Sequence, residues 1–108
     1  MRVQQRQQSL RLRIDEAELA RLLSGEVVEN AMRWPDGRVE RQQLALATAP
    51  GWQRVDDGWR VVLASDAVRT LAARLPSRDG LELALEGVDV TFDVDVRDSA
   101  RRMKEGRA

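Results

Sequence analysis

One arrangement occurs twice along this chain: a strand, a short capped helix, then two strands joined by a tight turn. The first copy covers residues 9–47 and the second residues 59–96. A connector over residues 48–58, with a short extended stretch around Trp52, separates them, and a charged tail, residues 97–108, follows. A duplicated unit of this size points to one small, pseudo-symmetric, β-rich domain spanning residues 1–108. It names no reaction.

The unit is read from periodicity. Residues 9–14 are SLRLRI, with Leu10, Leu12 and Ile14 on one face and Arg11 and Arg13 on the other. Strict alternation predicts a half-buried strand. Asp15 then stands as a helix N-cap, with Glu18 completing a capping box. Leu19, Leu22 and Leu23 follow at helical spacing, and Gly25 supplies a stop. Residues 26–34 resume extended character. Pro35-Asp36-Gly37 is a turn signal, and residues 38–47 return antiparallel.

In the second copy, residues 59–64 (WRVVLA) form the strand and Ser65 is the expected N-cap. Val68, Leu71, Ala72 and Leu75 form the apolar stripe, ended by Pro76. Leu81, Leu83 and Leu85 alternate with polar or small residues. The turn Glu86-Gly87 follows, and then Val88, Val90, Phe92, Val94 and Val96 alternate with Asp89, Thr91, Asp93 and Asp95. When the caps Asp15 and Ser65 are aligned, the strands before them match only to within one residue.

The expected fold class is α+β: a small, barrel-like domain of six or more mostly antiparallel strands with two short helices. Leu10, Leu12, Ile14, Leu19, Leu23, Val61, Leu63, Val68, Leu71, Leu83, Val90, Phe92 and Val94 are expected in the core.

Composition limits the chemistry. The chain has no Cys and no His, which excludes disulfides, thiolate chemistry and Ser-His or Cys-His pairs. The glycines form no phosphate-binding loop. No cofactor is called for, and no catalytic residue is assigned. The first eight residues lack an apolar signal core, and no apolar run reaches the roughly 20 residues of a membrane span. A cytoplasmic location without a membrane partner is expected.

Three groups could carry a function. Asp89, Asp93 and Asp95 share one face of the last strand, where carboxylates suit a hard divalent metal; the plainer reading is a solvated face paired with Arg. Arg11 and Arg13 would supply that pairing if the first and last strands are neighbours. Arg2 and Arg6 at one end, with Arg101 and Arg102 at the other, would form a phosphate-contacting patch if the termini lie together. Trp34, Trp52 and Trp59 flank turns, as interface anchors do, although capping the end of a small barrel is the commoner role.

Two resemblances follow from these residues. The second copy, with RVVLASDAVRTLAARL entering LELALEGVDVTFDVDV, resembles AbrB-like swapped-hairpin domains, which departs from them in having Ala64 before the helix where Pro is common. The N-terminal SLRLRIDEAELARLL resembles a family of small bacterial proteins of unknown function. Ser9, Leu10, Arg11, Leu12, Arg13 and Ile14 carry that likeness, and the Gln-rich start departs from it. The first resemblance implies a DNA-binding regulator or antitoxin-like role; the second implies no activity.

The leading expectation is a non-catalytic binding or protein-interaction module, with a protein partner or a second copy of the chain. A DNA-binding regulator is the alternative, disfavoured by a net charge of zero. A carboxylate-based, metal-dependent enzyme using Asp89, Asp93 and Asp95 comes last.

Overall fold

The computed structural model describes residues 1–76 and 79–96. Eight strands and two helices occur in it, in the order β1 (Arg2–Arg6), β2 (Ser9–Asp15), α1 (Glu16–Leu23), β3 (Val28–Arg33), β4 (Val39–Ala47), β5 (Gly51–Val55), β6 (Gly58–Ala64), α2 (Ser65–Ala73), β7 (Leu81–Leu85) and β8 (Val88–Asp95). The α+β class holds. No helix among the described residues is long and apolar enough to cross a membrane.

The strands do not close into a barrel. They form two open four-stranded sheets, β1-β2-β8-β7 and β3-β4-β6-β5. Each sheet has a parallel central pair, β2 with β8 and β4 with β6, flanked by antiparallel neighbours. Helix α1 packs on β2 and β8 of one sheet and on β3 and β4 of the other, and α2 packs on β6 and β7. The two sheets are therefore joined through helices and a shared core, which takes the place of a hydrogen-bonded seam.

The two sheets share one topology. Exchanging β1, β2, α1, β3 and β4 for β5, β6, α2, β7 and β8 converts one strand order into the other. Register makes the correspondence residue by residue. Leu12 pairs with Phe92 in one central pair, and Val61 pairs with Leu44 at the same place in the other. The strands extend beyond the repeat expected from sequence: β5 lies inside the expected connector, and β1 lies in the polar N-terminal stretch.

The one-residue mismatch between the two stretches aligned on Asp15 and Ser65 also has an explanation. Ser65 is not the N-cap of α2. That position is Ala64, extended at φ −67° and ψ 125°, with no side-chain cap bond. Ala64 is still paired with Ala47 in the sheet, so the chain can turn only after it, and Ser65 becomes the first helical residue. Aligning Asp15 with Ala64 places Leu12 on Val61, Ile14 on Leu63, Leu19 on Val68 and Leu22 on Leu71, all eight of them buried.

The first helix is capped as its sequence predicts. Asp15 Oδ1 accepts from the Glu18 amide at 2.7 Å, and Glu18 Oε1 accepts from the Asp15 amide at 3.1 Å. At the other end Ser24 is the C-cap, and Gly25 follows at φ +98°. The Glu26 amide donates to Arg21 and the Gly25 amide to Leu22, at 3.0 and 3.1 Å. That is a Schellman closure, which favours Gly at the left-handed position. Asp15→Ala should therefore lower unfolding free energy by about 1 kcal/mol. Ser65→Ala should change it by less than about 0.5 kcal/mol. Urea titrations of the two variants check this, and equal losses would refute the cap assignment.

One core joins both sheets and both helices. Of the expected core residues, Leu23 and Leu83 are only partly buried. Leu22, Val28, Leu44, Val62 and Leu85 are buried instead or in addition. Leu22 replaces Leu23 because α1 lies between two sheets, and its buried face is centred on Leu19 and Leu22.

Candidate functional site

The outer face of the first sheet is built by alternation. Leu12 and Phe92 are paired and fully buried, so Arg11, Arg13, Thr91 and Asp93 face the other way. Arg13 lies opposite Asp93 in the parallel pair. Arg11 Nε donates to Asp93 Oδ2 at 2.9 Å, and Arg13 reaches Asp93 Oδ1 at 3.8 Å. The expected meeting of an Arg face with an Asp face is thus present, centred on Asp93. The hydrogen bond to Asp93 and its charge both stabilise the Arg11 cation, raising its pKa. Asp95 sits one step along, opposite Asp15, and has an interaction of its own.

This geometry bears on the metal reading. Asp93 is committed to two guanidiniums, and Asp89 lies at the opposite end of the strand beside Ser9. Among the described residues no three His, Cys, Asp or Glu side chains are grouped to hold a metal ion.

Only the N-terminal half of the expected basic patch falls among the described residues. Arg2 and Arg6 are exposed on β1, an edge strand. Arg101 and Arg102 lie outside the described residues. Arg2 stands directly opposite Arg13, and Gln4 opposite Arg11. These four line a small cavity of about 110 Å³. Arg11 and Arg13, expected from sequence as partners for the acidic face of the last strand, belong to the same basic N-terminal stretch as Arg2 and Arg6. Gln4 was not singled out; its signal was the alternation of Arg2, Gln4 and Arg6 along a stretch whose one aliphatic residue is Val3.

The outer face of the second sheet carries a hydrogen-bonded chain across all four strands. Arg41 donates to Asp57 at 2.9 Å and to Glu29 at 3.0 Å. Gln43 donates to Glu29 at 2.9 Å. Arg60 donates to Gln43 through two nitrogens, at 2.9 and 2.8 Å, and to Gln53 at 3.4 Å. The Gln43 bond and then the Arg41 bond hold the Glu29 carboxyl below the usual glutamate range. Every member finds its partner inside this sheet, so the chain reads as a device for holding strands in register.

The inner face of the second sheet departs from its counterpart. Where the first sheet has Leu83, Leu85, Val88 and Val90, the second has Asn30, Met32, Glu40 and Gln42 at the equivalent positions. Asn30 donates to Gln42 at 2.7 Å. Met32 is 50% exposed and Trp34, at the hairpin tip, 39%. Trp34 Nε1 donates to Glu40 at 3.2 Å. Trp52 and Trp59 stack at 5.2 Å between ring centres and are half-buried against the core. The expectation that the tryptophans cover a barrel end fails for Trp34, since no barrel forms and its ring faces solvent.

At this tip an open groove is lined by Trp34, Arg38, Val39, Glu40, Asp56 and Asp57. Arg38 is paired with Asp36 at 2.7 Å, and Asp57 with Arg41. Glu40 and Asp56 have no cationic partner among the described residues.

A scan against protein-family models finds no match to this chain, and a search of curated proteins finds none either.

Proposed function

We propose that this chain is a non-catalytic binding module that engages a protein partner through the hairpin-tip surface of the second sheet. One observation carries the reading. Positions that are aliphatic in the first sheet are replaced in the second by Met32, Glu40, Gln42 and Asn30, next to an exposed Trp34. Folding alone does not call for that change, because the same topology in the other half is built with Leu and Val. An exposed Trp beside an exposed Met is the usual composition of an interface anchor.

Charge indicates the occupant. Glu40 and Asp56, two carboxylates without a cationic partner among the described residues, line the groove with the indole, so the surface favours a basic segment with some apolar character. A Lys or Arg side chain would lie over the Trp34 ring and meet the carboxylates at its edge. A swapped-hairpin arrangement, as in the AbrB-like resemblance, agrees with a duplicated unit exchanging hairpins within one chain. On this reading the duplication freed one sheet to vary while the other kept the core.

The test is a titration with a synthetic peptide of alternating Arg, Lys and Leu, followed through the three indole N–H signals by NMR. The Trp34 signal should shift with a saturable dependence, and the Trp52 and Trp59 signals should move much less. Trp34→Ala should weaken binding by about 30-fold, the value of a hot-spot anchor. Saturable binding unaffected by Trp34→Ala, or no shift at millimolar peptide, would overturn the reading.

A further inference from the structure

We propose that Arg2, Gln4, Arg11 and Arg13 form an oxyanion site that takes a phosphate group. The site lies on the other sheet from the hairpin-tip surface and stands independently of that reading.

Three observations converge. First, Arg2 and Arg13 are direct cross-strand partners. Like charges placed opposite each other destabilise a strand pair, so this pairing is not explained by folding. Second, Arg2, Arg11 and Arg13 surround a cavity with no acidic residue in its lining among the described residues, where the one carboxylate that bonds any of them is Asp93 on the next strand. Arg2 has no ion pair among the described residues. Third, Arg13 Nε is buried and without a hydrogen-bond partner, alone among the side-chain nitrogens and oxygens of the described residues. A desolvated guanidinium N–H that donates to nothing is costly, a cost that folding alone does not account for.

The ligand class follows from count and shape. Inorganic phosphate or a phosphate monoester carries close to two negative charges at neutral pH and a backbone diester one, and each presents several acceptor oxygens. Such a group could take a two-pronged contact from Arg2, a terminal guanidinium nitrogen of Arg13 and the Gln4 amide together. A carboxylate matches one guanidinium and would leave the others unpaired. By volume the cavity holds about three or four waters, which is room for one tetrahedral oxyanion and none to enclose a larger group. A phosphate carried by a larger molecule would be gripped by its terminal oxygens, with the remainder in solvent.

The group could belong to a small phosphorylated compound or to a nucleic-acid backbone. The experiment separates them. Thermal melts are recorded in inorganic phosphate and in chloride at matched ionic strength. Phosphate should raise the wild-type midpoint by at least about 4 °C at saturation. Arg2→Gln should abolish most of that rise while its melt in chloride stays near wild type, since Arg2 is exposed on an edge strand. Asp93→Asn removes the competing carboxylate and should tighten phosphate about two- to fivefold, the worth of an exposed ion pair. Duplex DNA is then titrated by fluorescence anisotropy. Binding that phosphate displaces and Arg2→Gln weakens assigns the site to a backbone; a phosphate effect without DNA binding assigns it to a small ligand. An equal midpoint in phosphate and chloride, a full rise retained by Arg2→Gln, or weaker phosphate binding in Asp93→Asn would overturn the site.

Discussion

Gly58→Ala should unfold this protein far more easily than wild type, with a midpoint lower by on the order of 10–20 °C. Gly58 opens β6 opposite Arg41 of β4. A Cβ there would lie 1.6 Å from the Arg41 carbonyl oxygen, 2.6 Å from its carbonyl carbon and 2.9 Å from its amide nitrogen. All three atoms are backbone, so no side-chain rotation relieves the clash; β4 itself must move. Movement there is costly because the Arg41 amide donates to the Asp57 carbonyl at 2.9 Å and its side chain ties Glu29 to Asp57. Forced backbone shifts of this kind cost about 2–4 kcal/mol, and each kcal/mol moves the midpoint of a domain this size by about 4–8 °C. Gly51→Ala is the control. Nothing lies within 4 Å of a Cβ at Gly51, and its effect should stay within about 0.5 kcal/mol. A Gly58→Ala variant that melts like wild type would show that β4 and β6 do not pair in this parallel register.

Phe92→Ala should cost about 3–5 kcal/mol, a large share of the roughly 5–15 kcal/mol that holds a domain together. Phe92 is 0% exposed and heads the fully buried side chains by volume. It sits on β8 between Leu12 of β2 and Leu81 of β7. Truncation empties the centre of the first sheet's inner face, and neighbours on two flanking strands cannot collapse into the space together. Leu44 holds the equivalent place in the second sheet, also 0% exposed. Leu44→Ala should fall in the about 2–5 kcal/mol range of large aliphatic truncations. Guanidinium unfolding of both variants gives the comparison. An unchanged midpoint for Phe92→Ala would mean that β8 presents its other face to the core.

Local features were legible in the chain because neighbours in sequence set them. Alternation placed Leu10, Leu12, Ile14, Val90, Phe92 and Val94 on the inner face, and all six are buried. The capping box at Asp15 and the stop at Gly25 needed only residues a few positions away. The Glu86-Gly87 turn, with φ of 49° and 88°, was likewise written in two residues. The meeting of Arg11 and Arg13 with Asp93 could be anticipated from complementary charge, although only as a consequence of an assumed neighbour.

The rest depended on partners remote in sequence. Strand β1 was hidden because Val3 is its one aliphatic residue and its stability comes from pairing with β2. Strand β5 was legible only as a short extended stretch around Trp52, because turn-forming Pro50-Gly51 and Asp56-Asp57-Gly58 bound a strand as readily as they fill a loop. Ser65 is a better cap by residue type than Ala64, but sheet pairing through Ala64 decided where the helix could start. A period of two says which side of a strand faces inward and nothing about which strand lies beside it, because backbone hydrogen bonds are much the same for any sequence. The chain by itself therefore determined its two helices, the strands with alternating apolar residues, the faces these bury and its lack of His and Cys chemistry. The tertiary structure alone decided that β2 lies parallel to β8 and β4 to β6, that two sheets stay open around two helices, and that Arg2 faces Arg13. Those outcomes depend on side-chain packing and chain connection over many tens of residues, where no local pattern reaches.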